Sequence, residues 1–398
     1  MPSFYLGELQ YTRGKNMKMK KIICSLMISV LCFMTAISGV SAANTYPTAN
    51  IDTAVQRAIS FYKGRTLESP DEVFAAESLG IEAEDQCDIT ELLNAFKEKD
   101  YNEATLGDLS KTIITLALTK NDPRSFNNYN LVEILENKVK ADGSIEGSNG
   151  TNFDIWVLFA LETVSSSKVD IVADKLSTQN NIEGSEGAFW YAGPYTSEDV
   201  TGWGIEALTI ANKDKYQSSI TSAINFLESK KQADGSYGNW GASADTQAAV
   251  IEGLLTYDRD GVLNGKYDTQ DSNIFKVLVD FQKENGSVEI ADWQTGIVGY
   301  NAMATYHLTT CLGTYKNGSL FLKAQKDYDA IINSVKEEPK TEPTTSVESK
   351  KDTTPTQTDK KTTSVKTGDE TNIVIFVSLS MVSGGLFLVL RKEYERVH

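Results

Sequence analysis

Five aspartates recur at near-constant intervals: Asp108, Asp154, Asp199, Asp245 and Asp292 stand 46, 45, 46 and 47 residues apart. Each opens a run of small and apolar residues. Two of these runs align without gaps, Asp199-Val-Thr-Gly-Trp-Gly-Ile-Glu-Ala-Leu208 and Asp245-Thr-Gln-Ala-Ala-Val-Ile-Glu-Gly-Leu254. A carboxylate at a helix start caps free N–H groups and complements the helix dipole, and that is the expected role for the set. In a closed repeat the five would also share one rim, where one or two face a ligand. The alignment pairs Glu206 with Glu252 inside the runs. Buried carboxylates without basic partners are costly unless they face a wet cavity or accept hydrogen bonds from adjacent turns, the second being the favoured expectation for these two. Asp245, Glu206 and Glu252 are therefore the candidates for general-acid chemistry.

Aromatic residues collect around the same helix starts: Phe189-Trp190-Tyr191, Tyr195, Tyr237 and Trp240, with Trp203 and Trp293 just inside the runs. Trp240 is expected to pack between turns. The Phe-Trp-Tyr run sits in a Gly-Pro loop of its own and suits binding. Aromatics beside carboxylates fit a sugar, an isoprenoid, a corrinoid or a peptide. The candidate ligand-binding set is Trp190, Tyr191, Tyr195, Asp199, Trp203, Tyr237, Asp245 and Trp293, and the expected partner is a small molecule, glycan or peptide. The only histidines are His307 and His398, which excludes a histidine-rich zinc site, so neither metal nor cofactor is assigned. The acidic loop around Asp258, Asp260, Asp268 and Asp271 lacks the spacing of a calcium-binding EF-hand.

The elements that carry these residues follow from the same period. The aspartate-led runs read as helices buried on most sides. Between them lie amphipathic segments, Asn130 to Lys140, Val169 to Ser177, Ile220 to Lys231 and Ile274 to Lys283. Three of these end in related turns: Ala141-Asp-Gly-Ser144, Ala233-Asp-Gly-Ser236 and Glu284-Asn-Gly-Ser287. Glycine there supplies the left-handed residue that stops a helix, and Asn181 to Gly184 does the same in another unit. Upstream, Ile51 to Tyr62 reads as an outer helix and Asp71 to Leu79 as an inner one. No unit resembles a strand. The expectation is an all-α fold, a single α/α toroid of about six helical hairpins over residues 44–335. An open α-solenoid is the alternative, and the small residues on the inner helices favour the closed ring.

The ends read differently. Residues 1–43 comprise an upstream extension and a signal peptide, with Lys18, Lys20 and Lys21 before an apolar stretch and Val40-Ser41-Ala42 as a cleavage site. Residues 336–366 are rich in Thr, Lys, Glu and Pro, too polar to bury a core, and form a linker able to reach about 100 Å if extended. Residues 367–398 hold an uncharged run, Ile373 to Leu390, long enough to span a membrane as a helix, then Arg391, Lys392 and Arg396. This tail resembles a sortase cell-wall sorting signal through Lys366-Thr367-Gly368, with Ser364-Val365 where the usual Leu-Pro would stand. The resemblance implies a sortase partner on a Gram-positive-type cell. A permanent single-span membrane anchor is the alternative, and both put the folded part outside. Residues 44–335 keep 23 of the 38 basic and 43 of the 54 acidic residues, a net charge of −20, which opposes nucleic acid as a partner. Cys87 and Cys311 lie in this part, and two separate buried thiols are favoured over a disulfide.

Residues 223–240, Ala-Ile-Asn-Phe-Leu-Glu-Ser-Lys-Lys-Gln-Ala-Asp-Gly-Ser-Tyr-Gly-Asn-Trp, resemble the glutamine-tryptophan repeat of squalene–hopene cyclases and protein prenyltransferase β subunits. The matching positions are Ala223, Phe226, Leu227, Gln232, Gly238 and Trp240, followed by Asp245-Thr246. The resemblance implies an α/α toroid. The class II cyclases protonate an alkene with an Asp-x-Asp-Asp-Thr motif. Here the stretch reads Ala242-Ser-Ala-Asp245-Thr246, without the supporting carboxylates. The prenyltransferase zinc ligands do not map onto His307 and Cys311. The functional expectation is a surface-held binding protein with its ligand at the aromatic and acidic rim. A terpene-cyclase-like enzyme, or a carboxylate-dependent glycan hydrolase or lyase, is the alternative.

Overall fold

The computed structural model describes residues 46–191, 195–238, 242–291 and 295–337. The expected signal peptide and most of the expected linker, Trp240, Asp292, Trp293, the Lys366-Thr367-Gly368 motif and the Ile373–Leu390 run lie outside the described residues. Among those described, no helix is long and apolar enough to cross a membrane.

Six helices form an inner layer: α2 (Pro70–Ser78), α5 (Leu106–Leu118), α7 (Thr151–Thr163), α9 (Glu198–Asn212), α11 (Ala244–Leu263) and α13 (Ala302–Asn317). Their starts obey capping chemistry. The side chains of Ser69, Thr105, Ser243 and Asn301 accept from backbone N–H groups of the first turns of α2, α5, α11 and α13. The periodic aspartates therefore do not serve as the caps. Asp108, Asp154, Asp199 and Asp245 sit within the first turns, where a negative charge complements the helix dipole.

Each inner helix packs on the next, α2 on α5, α5 on α7, α7 on α9, α9 on α11 and α11 on α13, and α13 returns to α2, so the ring is closed. Closure relies on close backbone approach. A Cβ at Gly253 of α11 would lie 2.2 Å from the Gly202 carbonyl oxygen of α9, and one at Gly313 of α13 would lie 2.2 Å from Ser78 Oγ of α2. The outer layer is α1 (Thr48–Tyr62), α4 (Thr90–Glu98), α6 (Leu131–Asn137), α8 (Val169–Leu176), α10 (Gln217–Lys230) and α12 (Ile274–Val279). A single-turn helix, α3 (Ala83–Gln86), precedes α4.

The related glycine turns are tighter than expected. Their helices stop one to four residues before the expected ends, at Asn137, Lys230 and Val279. Each turn then closes a short β-bridge: Val139 to Ile145, Lys231 to Tyr237 and Gln282 to Val288. Asp142, Asp234 and Asn285 each accept from the backbone N–H of the serine two residues on. Gly143, Gly235 and Gly286 take φ of +80°, +83° and +90°, a region that a Cβ disfavours.

Two departures from the all-helical reading occur. Strands β1 (Asn181–Ile182) and β2 (Ser185–Glu186) pair antiparallel, as do β3 (Glu289–Ala291) and β4 (Val298–Tyr300). The second hairpin corrects the repeat pattern. Asp292 falls between β3 and β4, and the sixth inner helix begins only at Ala302.

The last described helix, α14 (Leu320–Glu337), belongs to no hairpin. It packs on α2, α5, α7 and α13 and plugs the ring at the end where the inner helices finish. Lys323 Nζ lies 2.8 Å from the buried Glu77 carboxylate, Gln325 Nε2 donates to the Glu162 carbonyl at 2.9 Å, and Arg124 Nε donates to Tyr328 Oη at 2.7 Å. Cys311 is buried in α13 and Cys87 is half-buried; both are free thiols.

Glu162, at the end of α7 beneath this plug, is buried, and burial pushes its carboxyl up to about 7, with the charge of Asp170 adding to the shift. Its folded value lies above the unfolded one, so its contribution to stability is complete below about pH 4 and is lost as pH rises through 7. Glu162→Gln is therefore expected to be roughly 1–3 kcal/mol more stable than the parent at pH 8, with the difference vanishing near pH 4.5. Urea melts at the two pH values measure it. An identical difference at both would refute the linkage.

Candidate functional site

Five of the inner helices, α2, α7, α9, α11 and α13, together with α14 enclose a cavity of about 30 Å³ at the ring axis, room for ordered water. Its mouth is framed by Asp71 of α2 and Tyr306 and His307 of α13. Its wall carries Phe74, Trp156 and Trp203. Glu206, Glu252, Thr310 and Thr314 lie along it, and Leu320 and Phe321 of α14 form its floor.

The chemistry at the mouth centres on His307. Its Nδ1 lies 2.9 Å from Asp245 Oδ1, with both side chains mostly buried. Its ring also meets the edges of Tyr306, at 4.4 Å between centroids, and Trp203, at 5.4 Å. Asp199 lies beside this pair. Burial pushes its carboxyl up, and the charges of His307 and Asp245 act on it in opposite directions. Ser197, just ahead of α9, donates its hydroxyl to the same carboxylate. Across the mouth, Lys111 Nζ lies 2.7 Å from Asp71 Oδ1 and 4.8 Å from the centre of the Trp156 ring, a cation–π contact. The mouth thus holds Asp71 paired with the Lys111 cation, Asp245 in hydrogen-bond contact with His307, and a third carboxylate, Asp199, tuned by burial.

Lower down, Glu206 and Glu252 stand 1 % and 5 % exposed. Glu206 Oε1 accepts from Ser319 Oγ at 2.7 Å and Thr256 Oγ1 at 3.2 Å. The Trp203 side chain hydrogen-bonds to Glu252. The other oxygen of each, Glu206 Oε2 and Glu252 Oε1, is buried without a partner. Burial in a region without a neighbouring cation holds both carboxyls well above the usual range, and each disfavours ionisation of the other.

The remaining sequence candidates divide. Tyr191 and Tyr195 are exposed at 54 % and 52 % on the loop leading into α9, where the Tyr191 N–H donates to the Tyr195 carbonyl. Trp190 is half-buried, and its backbone is tied to Thr151 at the start of α7. Tyr237 does not belong to the rim. It is fully buried, with its N–H on Gln247 Oε1 and its hydroxyl on Glu228. The periodic aspartates do not share one environment either. Asp108 is held by Lys99 and Thr105, and Asp154 is buried near Ser148 and Gln179, outside the cavity lining. Asp258 and Asp268 brace turns, on Lys266 and Gly261 and on Asn273 and Ile274. The sequence reading missed His307, Tyr306, Asp71 and Trp156 as lining residues. The one available signal was that His307 is the sole histidine of residues 44–335.

No family model and no curated protein matches the chain. Among solved structures, the chain is similar to an apo type II terpene cyclase from Scytonema, a point variant of MstE, with a TM-score of 0.44 and 13 % identity over 70 % of this chain and 97 % of that one.

Proposed function

We propose that the protein is an exported binding protein, held at the cell surface by its C-terminal segment, that takes its ligand at the mouth of the toroid. One observation carries the reading. Of the eight exposed large apolar side chains among the described residues, seven lie on the segments that lead into α9 and α13 or in the first turn of α13: Tyr191 and Tyr195, then Ile290, Ile297, Val298, Tyr300 and Met303. Those helices supply Asp199, Trp203, Tyr306 and His307 to the mouth. Apolar exposure concentrated at the approach to a polar throat marks a binding surface. The signal-peptide pattern of residues 1–43 and the charge-flanked span Ile373 to Leu390 support the cellular placement.

The test is a screen of the purified protein against oligosaccharides and peptides, read by the fluorescence of Trp203 in the throat. Tyr191→Ala and Tyr195→Ala are each expected to weaken the selected ligand about tenfold, the level of a binding hot spot. Affinity unchanged in both would remove the rim from the account.

A second reading rests on the contact between Asp245 and His307, with the raised carboxyl of Asp199 beside it. This is an arrangement able to deliver and recover a proton. If the ligand is also a substrate, Asp245→Asn is expected to cost roughly 10²–10⁴ in kcat while leaving binding within a few fold. Turnover that survives this substitution would sink the enzymatic reading.

A further inference from the structure

We propose that the floor of the axial cavity is a subsite for a cationic amine, the protonated primary or methylated head of a longer ligand, held between Glu206 and Glu252 beneath a collar of aromatic rings. The inference rests on the mouth being the ligand's entrance and adds the chemistry of the group that enters first.

Two buried carboxylate oxygens, Glu206 Oε2 and Glu252 Oε1, have no partner, and both residues line the cavity. Native interiors seldom leave such acceptors empty, so the space between them calls for a donor. The side-chain donors that reach the pair are Ser319, Thr256 and Trp203, and they serve other oxygens or a single bond. Among the described residues no lysine, arginine or histidine forms an ion pair with either glutamate. An ammonium group brings up to three N–H donors and one positive charge, which match what the pair lacks.

The wall suits the same group. Phe74 and Trp156 stack at 6.1 Å, Trp156 and Trp203 lie 6.0 Å apart at 57°, and all three rings line the cavity that reaches the glutamates. The face of Trp156 already holds one cation, Lys111 Nζ. Size then narrows the choice. The cavity is small, about 30 Å³, which favours a compact head group over a bulky one. A metal ion is the weaker fit, because no cluster of three or more acidic, histidine or cysteine side chains occurs among the described residues. The net charge of −20 over residues 44–335 also draws cations toward the protein.

Burial raises both carboxyls, so ionisation of the pair beside an arriving ammonium releases a proton to the buffer. The other titratable groups facing this space are Cys311 on α13, which is neutral through burial, and, toward the mouth, Asp71 paired with Lys111, Asp199, Tyr306, and Asp245 paired with His307.

The experiment titrates the full chain with n-butylammonium, n-butanol and butyrate, following tryptophan fluorescence and, by calorimetry in two buffers of different ionisation enthalpy, proton release. Saturable binding of butylammonium alone, with release of up to one proton, is expected. Glu206→Gln and Glu252→Gln should each weaken it about tenfold, with melting temperatures recorded to show that both variants fold. Equal binding of butanol, no saturable binding of the amine to the parent chain, or undiminished amine binding in the folded Glu206→Gln and Glu252→Gln double variant would each overturn the subsite. The two proposals fail separately. A rim ligand that is lost in Tyr191→Ala while no amine binds leaves the mouth reading and removes the subsite. Amine binding that depends on the glutamates, with no ligand sensitive to Tyr191 or Tyr195, does the reverse.

Discussion

Phe159→Ala is expected to lower the stability of the toroid by about 3–5 kcal/mol, the range for deleting a buried phenylalanine when its surroundings cannot collapse. The side chain is fully buried in α7. Its ring stacks on Phe321 of α14, with centroids 3.6 Å apart and planes within 5°, and it meets the edge of Trp156 at 5.8 Å. Collapse is hindered because these neighbours are fixed from other sides. Phe321 also meets Trp156 at 6.0 Å, and α14 is tied to α2 by the pair of Lys323 and Glu77. The loss therefore falls on the seam that seats the plug in the ring. Urea unfolding gives the magnitude. The same variant should widen the axial cavity and shift the emission of Trp156 and Trp203. A loss below about 1 kcal/mol would show that α14 does not rest on this seam.

Gly253→Val is expected to cost roughly 3 kcal/mol or more, at the upper end of overpacking penalties. A Cβ there would stand 2.2 Å from the Gly202 carbonyl oxygen and 2.9 Å from its carbonyl carbon, and both belong to the backbone of α9. A rotamer change cannot relieve a backbone contact, so α9 and α11 must separate. In a closed ring that separation is passed to every other seam. At about 2–4 °C per kcal/mol for a domain of this size, the melting temperature should fall by roughly 10 °C. Gly107→Ala in α5 is the control. A Cβ at Gly107 meets nothing within 4 Å, and alanine is the better helix former, so the change should be neutral or slightly stabilising. Equal losses at both positions would mean that the effect is not one of helix approach.

Much of this architecture was legible in the chain because its causes are local. Apolar period and turn chemistry act over a few residues, and they located the starts of α1, α2, α8, α9 and α11 and the three Asp/Asn-Gly-Ser turns to within a few positions. The sixth unit was misplaced for the same reason. Asp292-Trp-Gln-Thr-Gly has the local look of an inner helix start, but the pairing of Glu289–Ala291 with Val298–Tyr300 claims the backbone on either side and defers the helix to Ala302. The plug, α14, followed no repeat and so left no periodic mark. Tyr237 looked like a rim aromatic by its neighbours in sequence, and it is buried because the glycine turn folds its side chain inward against Glu228.

Read alone, the sequence determined the class of fold, the number of hairpins, the acidic surface and the pairing of Glu206 with Glu252 as equivalent positions. Only the tertiary structure decided which of the equivalent aspartates lie beside His307. Asp108 and Asp154 keep the same phase in the repeat as Asp199 and Asp245, but only the last two lie beside His307. Phase within a helix fixes which face a residue takes. What stands opposite that face is set by closure of the ring, which brings Asp245 of α11 to His307 of α13 across 62 residues and seats Ser319 on Glu206 across 113. No period in the chain encodes those meetings, because they depend on how all six seams pack at once.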